Sequence, residues 1–277
     1  MKIVFKSRSK RGWRMRLFAL TALVVTTAAT ADDLRIGGTG NALGTMQLLA
    51  EAFAETDPGF KVAILPSIGS SGAIKAVPKG AIDIGLSSRP LTAEEAKGGI
   101  RSVEYARSPT VFAVHQVTNA TALNRAQIAD IYLGRLTQWP DGTPIRPILR
   151  QPGDDNTRQI KTLSPAIEAA VTAADQRPGL AFATTDQEAN DKLESIPGAV
   201  GVTTLALILS EQRPLRALTL DGIEPTPENI ANDRYPLIKR FYFILPQVLS
   251  SGAQAFIAFV QSSAGQSILA RTGHSIP

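Results

Sequence analysis

Apolar and polar positions follow two alternating rhythms in the first third of the chain. Residues 33–38 (DLRIGG) form a short apolar run that enters glycines, as a strand does before a turn. In 44–55 (GTMQLLAEAFAE), Met46, Leu49, Ala50 and Phe53 recur at helical spacing. Asp57-Pro58-Gly59 marks a turn. A second strand over 60–65 (FKVAIL) gives way to the small-residue segment 66–72 (PSIGSSG) and a helix over 73–79. A third strand over 82–86 (IDIGL) ends at Ser87-Ser88-Arg89-Pro90, and Thr92 with Glu95 three residues on reads as a capping box. Three strand–loop–helix repeats predict an α/β fold with a largely parallel sheet. Ligands of such sheets bind at the carboxyl ends of the strands.

The remaining pattern adds strands over 110–115, 145–149, 199–203, 215–220 and 237–245. Helices are expected over 124–133, from about Arg158, over 167–174 and 186–193, and at the end over 252–261 and 265–271. Trp139-Pro140-Asp141-Gly142 is a turn, with Trp139 read as a packing anchor. No tandem repeat or linker interrupts the chain, so two domains would not be beads on a string.

Charge changes the picture through its placement. The chain of 277 residues carries 29 Lys and Arg against 24 Asp and Glu. Seven of the basic residues (Lys2, Lys6, Arg8, Lys10, Arg11, Arg14, Arg16) fall in the first sixteen positions. An apolar run over 17–29 follows and ends in Ala29-Thr30-Ala31. That run is shorter than the roughly 20 residues of a membrane span. Its order describes a cleavable signal peptide over 1–31 and a periplasmic destination. Without it the chain is slightly acidic, which removes nucleic acid as a partner. Cysteine is absent, which excludes disulfides, thiolate metal sites and cysteine nucleophiles. Only His115 and His274 remain as histidines, too few for a His-rich metal site. No metal or cofactor is expected.

Three strand-end loops hold the candidate chemistry. In the first, residues 37–44, glycines let backbone approach a ligand, and the following helix start offers N–H groups to an anion. A dinucleotide site would need GxGxxG and an acidic residue about 20 positions on; the spacing here is GxGxxxG and the second strand ends without a carboxylate. In the second, 68–72, Ser70 or Ser71 either caps the helix or donates to an anion. In the third, Arg150 stands at a strand end, where a guanidinium grips an oxyanion with two donors or simply faces Asp154 and Asp155. Asn156 and Thr157 would add donors there, and the paired carboxylates also fit a dipole-favoured helix start. Arg89 either guards the cleft or faces water.

In order and spacing these segments resemble the substrate-binding proteins of Pst phosphate ABC transporters, within the type II periplasmic binding proteins. The resemblance rests on the first Gly-rich loop, on 68–72 (IGSSG), on 83–91 (DIGLSSRPL) and on 127–134 (QIADIYLG) with Trp139. Arg150 and Tyr235-Pro236-Leu237 leading to Phe241-Tyr242-Phe243 complete it. It implies a two-lobed type II fold, a Venus flytrap with two crossing hinge strands. Lobe 1 would be 32–115 plus 240–277 and lobe 2 would be 116–239, with crossings at 110–115 and 240–245. It implies backbone anion contacts at Ala42 and Leu43, and side-chain contacts from Ser70, Ser88, Arg150, Asp154, Asp155, Asn156 and Thr157. Thr39, Gly40, Asn41, Ser71 and Ser87 are flanking candidates. Two departures stand out. The family often carries Asp, which accepts the proton of hydrogen phosphate, where this chain has Ser88. The third loop is one residue longer than the usual Gly-Ser-Gly-Thr. Either Asp154 or Asp155 takes over the acceptor role, or both point away, or the ligand is another anion.

The resemblance implies a monomeric protein that captures a small oxyanion, phosphate first, for an inner-membrane ABC permease. The alternative role is a sensor or adaptor for a membrane signalling protein. An enzyme built on Asp154 and Asp155 lacks a nucleophile–base–orienter set.

Overall fold

Each of the first two strands delivers the chain straight into a helix. β1 (Asp33–Gly38) feeds α1 (Gly40–Thr56), and β2 (Lys61–Ile64) feeds α2 (Gly69–Ala76). β3 (Ile84–Ser87) precedes the one-turn α3 (Ala93–Ala96). The long β4 (Ile100–His115) follows, then β5 (Ala122–Leu123), α4 (Arg125–Leu133), β6 (Arg146–Arg150), α5 (Asp155–Lys161) and α6 (Pro165–Asp175). Next come β7 (Ala181–Ala183), α7 (Asp186–Ser195), β8 (Ala199–Thr204) and α8 (Leu205–Ser210). The chain closes with β9 (Leu215–Ala217), β10 (Thr219–Leu220), α9 (Pro227–Ala231), β11 (Ile238–Pro246), α10 (Ser251–Gln261) and α11 (Ser263–Arg271). This computed structural model describes residues 1, 2, 4 and 33–277, so all but three residues of the expected signal peptide over 1–31 lie outside the described residues.

Among the described residues one sheet runs β2-β1-β3-β11-β4-β8-β6-β7, with β9 added on β4. β1 is parallel to β2 and β3, and β6 is parallel to β7 and β8. Helical crossovers make these pairings parallel, as expected of strand–helix–strand units. The centre is different. β11 runs antiparallel to both β3 and β4. β4 pairs with β11 from Ile100 to Pro109, then with β8 and β9 from Thr110 to His115. The sheet is therefore mixed, with the parallel strands on either side of an antiparallel pair.

Two main cores follow the same division. Ile36, Met46, Leu49, Phe53, Phe243 and Phe256 form one, where α1, α10 and α11 cover β1, β3 and β11. Ile128, Tyr132, Trp139, Ile167, Tyr235 and Leu237 belong to the other, under α4 and α6. β4 passes from the first core to the second between Ala106 and Phe112, and the chain entering β11 passes back between Leu237 and Phe241.

Several boundaries differ from expectation for identifiable reasons. α1 begins at Gly40, not 44, because Gly44 sits inside the helix. A Cβ at Gly44 would meet Ser210 Oγ at 2.6 Å, so glycine there lets α1 lie against the end of α8. α2 begins at Gly69, which puts Ser70 and Ser71 inside its first turn; the capping position falls on Ile68, and neither serine caps the helix. β4 starts ten residues before the expected 110, since its polar first part is held by pairing with β11. α5 starts at Asp155, three residues before Arg158. β7, α8 and α9 are too short to leave a periodic signal.

Candidate functional site

The carboxyl ends of β1, β3 and β6 and the starts of α1, α2, α5 and α7 converge on one cavity of about 510 Å³. Of the expected residues, Thr39, Asn41, Ser70, Ser71, Ser88, Arg150, Asp154 and Asp155 line it. Gly40, Ala42, Leu43, Ser87, Asn156 and Thr157 do not. Each omission has a local cause, Gly40 being covered by Gln187 and Asp186 of α7. Leu43 faces a separate opening beside Gln47 and Glu211, and Ala42 is buried in the first core. Ser87 Oγ donates to Arg89 O at 2.6 Å and accepts from Arg89 N–H, which fixes the turn after β3. Thr157 N–H donates to Asp154 Oδ1 at 3.1 Å, the capping bond of α5. Asn156 is buried behind the wall, its Nδ2 3.4 Å from Asp186 Oδ1.

Arg150 ends β6 with its side chain only 7% exposed. Its Nη1 donates to Asp186 Oδ1 at 2.7 Å and its Nη2 to Asp154 Oδ2 at 2.8 Å. A buried guanidinium needs such partners, since an isolated charge would cost several kcal/mol. Asp154 and Asp155 diverge, as adjacent residues at a helix start do. Asp154 joins Arg150, while Asp155 pairs with Lys239 of β11 and with Arg158 at 3.2 Å. Burial pushes the Asp154 carboxyl above its ordinary value, with Asp186 adding to the shift and Arg150 opposing it. Burial also pushes Asp155 upward, but Lys239 and Arg158 outweigh it and hold that carboxyl below the usual range.

Asp186 was not anticipated. It starts α7, is buried, and its Oδ2 accepts the Asn41 backbone N–H at 3.1 Å. α1 has no acidic residue in its first turn and Thr39 makes no side-chain cap. The carboxylate that favours this helix start thus comes from a different element. A readable signal existed, because Thr185 followed by Glu188 is a helix-start signature, and Thr185 does accept the Glu188 N–H at 3.1 Å. Thr184, Thr185 and Arg158 also line the cavity without having been expected.

The second serine loop presents its hydroxyls inward. Ser70 Oγ accepts the Ser88 N–H at 3.0 Å and lies 3.1 Å from Ser88 Oγ, which ties α2 to the end of β3. Arg89 lines the cavity yet is held by Glu95, with both terminal nitrogens donating at 2.8 Å. That pairing, with the Thr92 N–H, holds the Glu95 carboxyl down to about 2. Over the whole wall Arg89, Arg150 and Arg158 face Asp154, Asp155 and Asp186, so the formal charges cancel.

A model of the PBP superfamily domain matches residues 24–264. The chain belongs to the PBP superfamily. Among curated members, it is similar to phosphate-binding protein PstS 2 of Streptococcus pneumoniae, 32% identical over 114 residues. That match covers 41% of this chain and 38% of the relative, so the chain spans little more than a third of that relative's length. Phosphate-binding protein PstS of Bacillus subtilis is 23% identical over 217 residues, covering 75% of this chain and 68% of the relative. A solved structure of a putative phosphate ABC transporter substrate-binding protein with bound phosphate, from Clostridium perfringens, superposes with a TM-score of 0.75 at 25% identity. It covers 89% of this PBP superfamily chain and 100% of that structure, and the fold is the type II periplasmic binding protein fold.

Proposed function

We propose that this PBP superfamily protein captures a small oxyanion, phosphate first, outside the cytoplasm and delivers it to an ABC permease. The single observation that carries the reading is Arg150 at the end of β6, facing the Ser70–Ser88 pair and the start of α1 across one cavity. A buried guanidinium supplies a charged donor to a tetrahedral oxyanion, serine hydroxyls add donors, and the helix start adds N–H groups with a favourable dipole. Every one of these contacts is non-covalent, and the chemistry is binding rather than turnover. The similarity to phosphate-binding proteins favours phosphate over other oxyanions.

The two cores divided within β4 and ahead of β11 support a lobe of 32–115 plus 240–277 and a second lobe of 116–239. Closure of two such lobes would desolvate the anion and strengthen each hydrogen bond. Among the described residues no helix is long and apolar enough to cross a membrane, which suits a protein that presents its ligand to a membrane partner. For the departure at Ser88, Asp154 is the proton acceptor we assign. It lies on the wall beside Arg150 and its carboxyl is raised by burial, whereas Asp155 is held by Lys239.

The test is calorimetric titration of the purified protein, stripped of co-purifying anion by unfolding and refolding, with phosphate, sulfate, arsenate, molybdate and tungstate. Saturable phosphate binding with weaker sulfate binding is expected. Binding of none of the five removes the oxyanion reading.

A further inference from the structure

We propose that Asp186 is the resident anion of the seat that takes the oxyanion, and that an oxyanion binds by displacing it, charge for charge. The inference rests on the oxyanion reading above and adds an affinity-determining residue to it.

Asp186 occupies the donors on which that reading depends. Its Oδ1 accepts from Arg150 Nη1 at 2.7 Å and lies 3.4 Å from Asn156 Nδ2, while its Oδ2 accepts the Asn41 N–H at 3.1 Å. A guanidinium, a helix-start N–H and a carboxamide around two oxygens are what a bound oxyanion needs. The chain supplies the anion itself. With Asp154 on Arg150 Nη2, both ends of the fork are taken.

The contact between the starts of α1 and α7 frames the seat. A Cβ at Gly40 would run into Gln187 Oε1 and lie 2.9 Å from both the Cβ and Oδ2 of Asp186, so glycine at the start of α1 makes room for the first two residues of α7. Gln187 donates Nε2 to Gly40 O at 2.9 Å and docks α7 on α1 independently of Asp186.

Charge favours exchange over sharing. With Asp186 seated, three arginines face three aspartates on the wall, and an arriving anion meets no net formal charge there. Once the carboxylate swings away, the wall carries one excess positive charge. Asp186 is the first residue of α7, so rotation about its side-chain bonds removes the carboxylate without moving the helix. Affinity for the oxyanion is then set against the strength of an internal competitor. Only anions that bind the fork better than a carboxylate displace it.

The experiment uses the purified chain, Asp186→Asn and Asp186→Ala. Asn keeps the shape and removes the charge, so it stays informative if the Ala variant folds poorly. Phosphate affinity of Asp186→Asn is expected to rise about tenfold or more over the parent. Asp186→Ala is expected to melt at a lower temperature, and formate, at constant ionic strength, to restore it saturably. Formate is expected to leave the parent and Asp186→Ala/Arg150→Ala unmoved. Phosphate binding unchanged or weakened in Asp186→Asn, with no formate effect in Asp186→Ala, overturns the exchange and leaves the oxyanion reading standing. Formate rescue with no phosphate binding by any variant overturns the oxyanion reading and keeps Asp186 as the occupant of an anion seat.

Discussion

Asn41 and Asp186 are 145 positions apart, yet the backbone N–H of one donates to the carboxylate of the other at 3.1 Å. The bond joins the start of α1 to the start of α7 and brings a buried acid to a helix start that has none of its own. Gly40 permits the approach. Gly40→Ala is expected to cost about 1–3 kcal/mol by overpacking against Gln187 and Asp186. Gly153→Ala, where an added Cβ meets nothing within 4 Å, is expected to stay within about 0.5 kcal/mol. Urea unfolding of the two variants checks the contrast.

Arg150 carries both affinity and stability. Arg150→Ala is expected to weaken oxyanion binding by about 2–5 kcal/mol, by analogy with truncating one partner of a buried charge pair. It also leaves Asp154 and Asp186 buried without their cation, so its melting temperature should fall. Arg150→Lys keeps the charge but loses the planar fork. It is expected to recover stability more than affinity, and calorimetry beside thermal melting separates the two.

Lys239 is 1% exposed on β11 and pairs with Asp155 at the start of α5. Gln159 of the same helix accepts from Thr110 Oγ1 on β4 and donates to Ile238 O on β11. α5, which follows Arg150 on the cavity wall, is thus tied to both long central strands. Lys239→Met is expected to destabilise by about 1.5–3 kcal/mol, the range for a hydrogen bond to a charged group. Adding Asp155→Asn should restore part of that loss, and a double-mutant cycle measures the coupling.

His274 gives a pH dependence with a definite sign. Burial holds its imidazole down to about 4, against an ordinary value of 6.5. The folded form therefore stays neutral while the unfolded chain takes up a proton below pH 6.5. Stability from this group is complete above pH 6.5 and is lost as pH falls from 6.5 towards 4, by at most about 3 kcal/mol. Its ring packs 5.3 Å from Phe241 and its Nδ1 lies 3.1 Å from Thr272 Oγ1 and 3.2 Å from Leu269 O, so His274→Phe keeps the ring contact and removes the titration together with those polar contacts. Urea unfolding at pH 7, 5.5 and 4.5 should show a flatter acid limb in that variant.

The sequence carried the local structure well where a few adjacent residues decide it. The Thr92–Glu95 capping box forms as read, and Trp139 is a packing anchor, 5% exposed with its indole N–H on Gly198 O at 3.0 Å. Strand ends also placed most of the wall, since Ser70, Ser88, Arg150 and Asp154 each follow or end a recognisable strand. What escaped depends on partners distant in the chain. Asp186 follows a three-residue strand too short to register, and its role comes from Arg150 and Asn41. Lys239 sits in an apolar run, where a lysine reads as solvent-facing; its direct pairing with Asp155 at the start of α5 is what lets it be buried. Gly44 looked like a helix boundary because its reason for being glycine is the packing of α8.

The most direct measurement is an anomalous difference map from crystals of the purified protein soaked in tungstate or arsenate. A peak is expected in the cavity, with oxygens within hydrogen-bond distance of Arg150, Ser70 and Ser88 and the Asp186 carboxylate turned away. Strong peaks elsewhere, with none beside Arg150 at saturating anion, would contradict the assignment of this cavity as the oxyanion site.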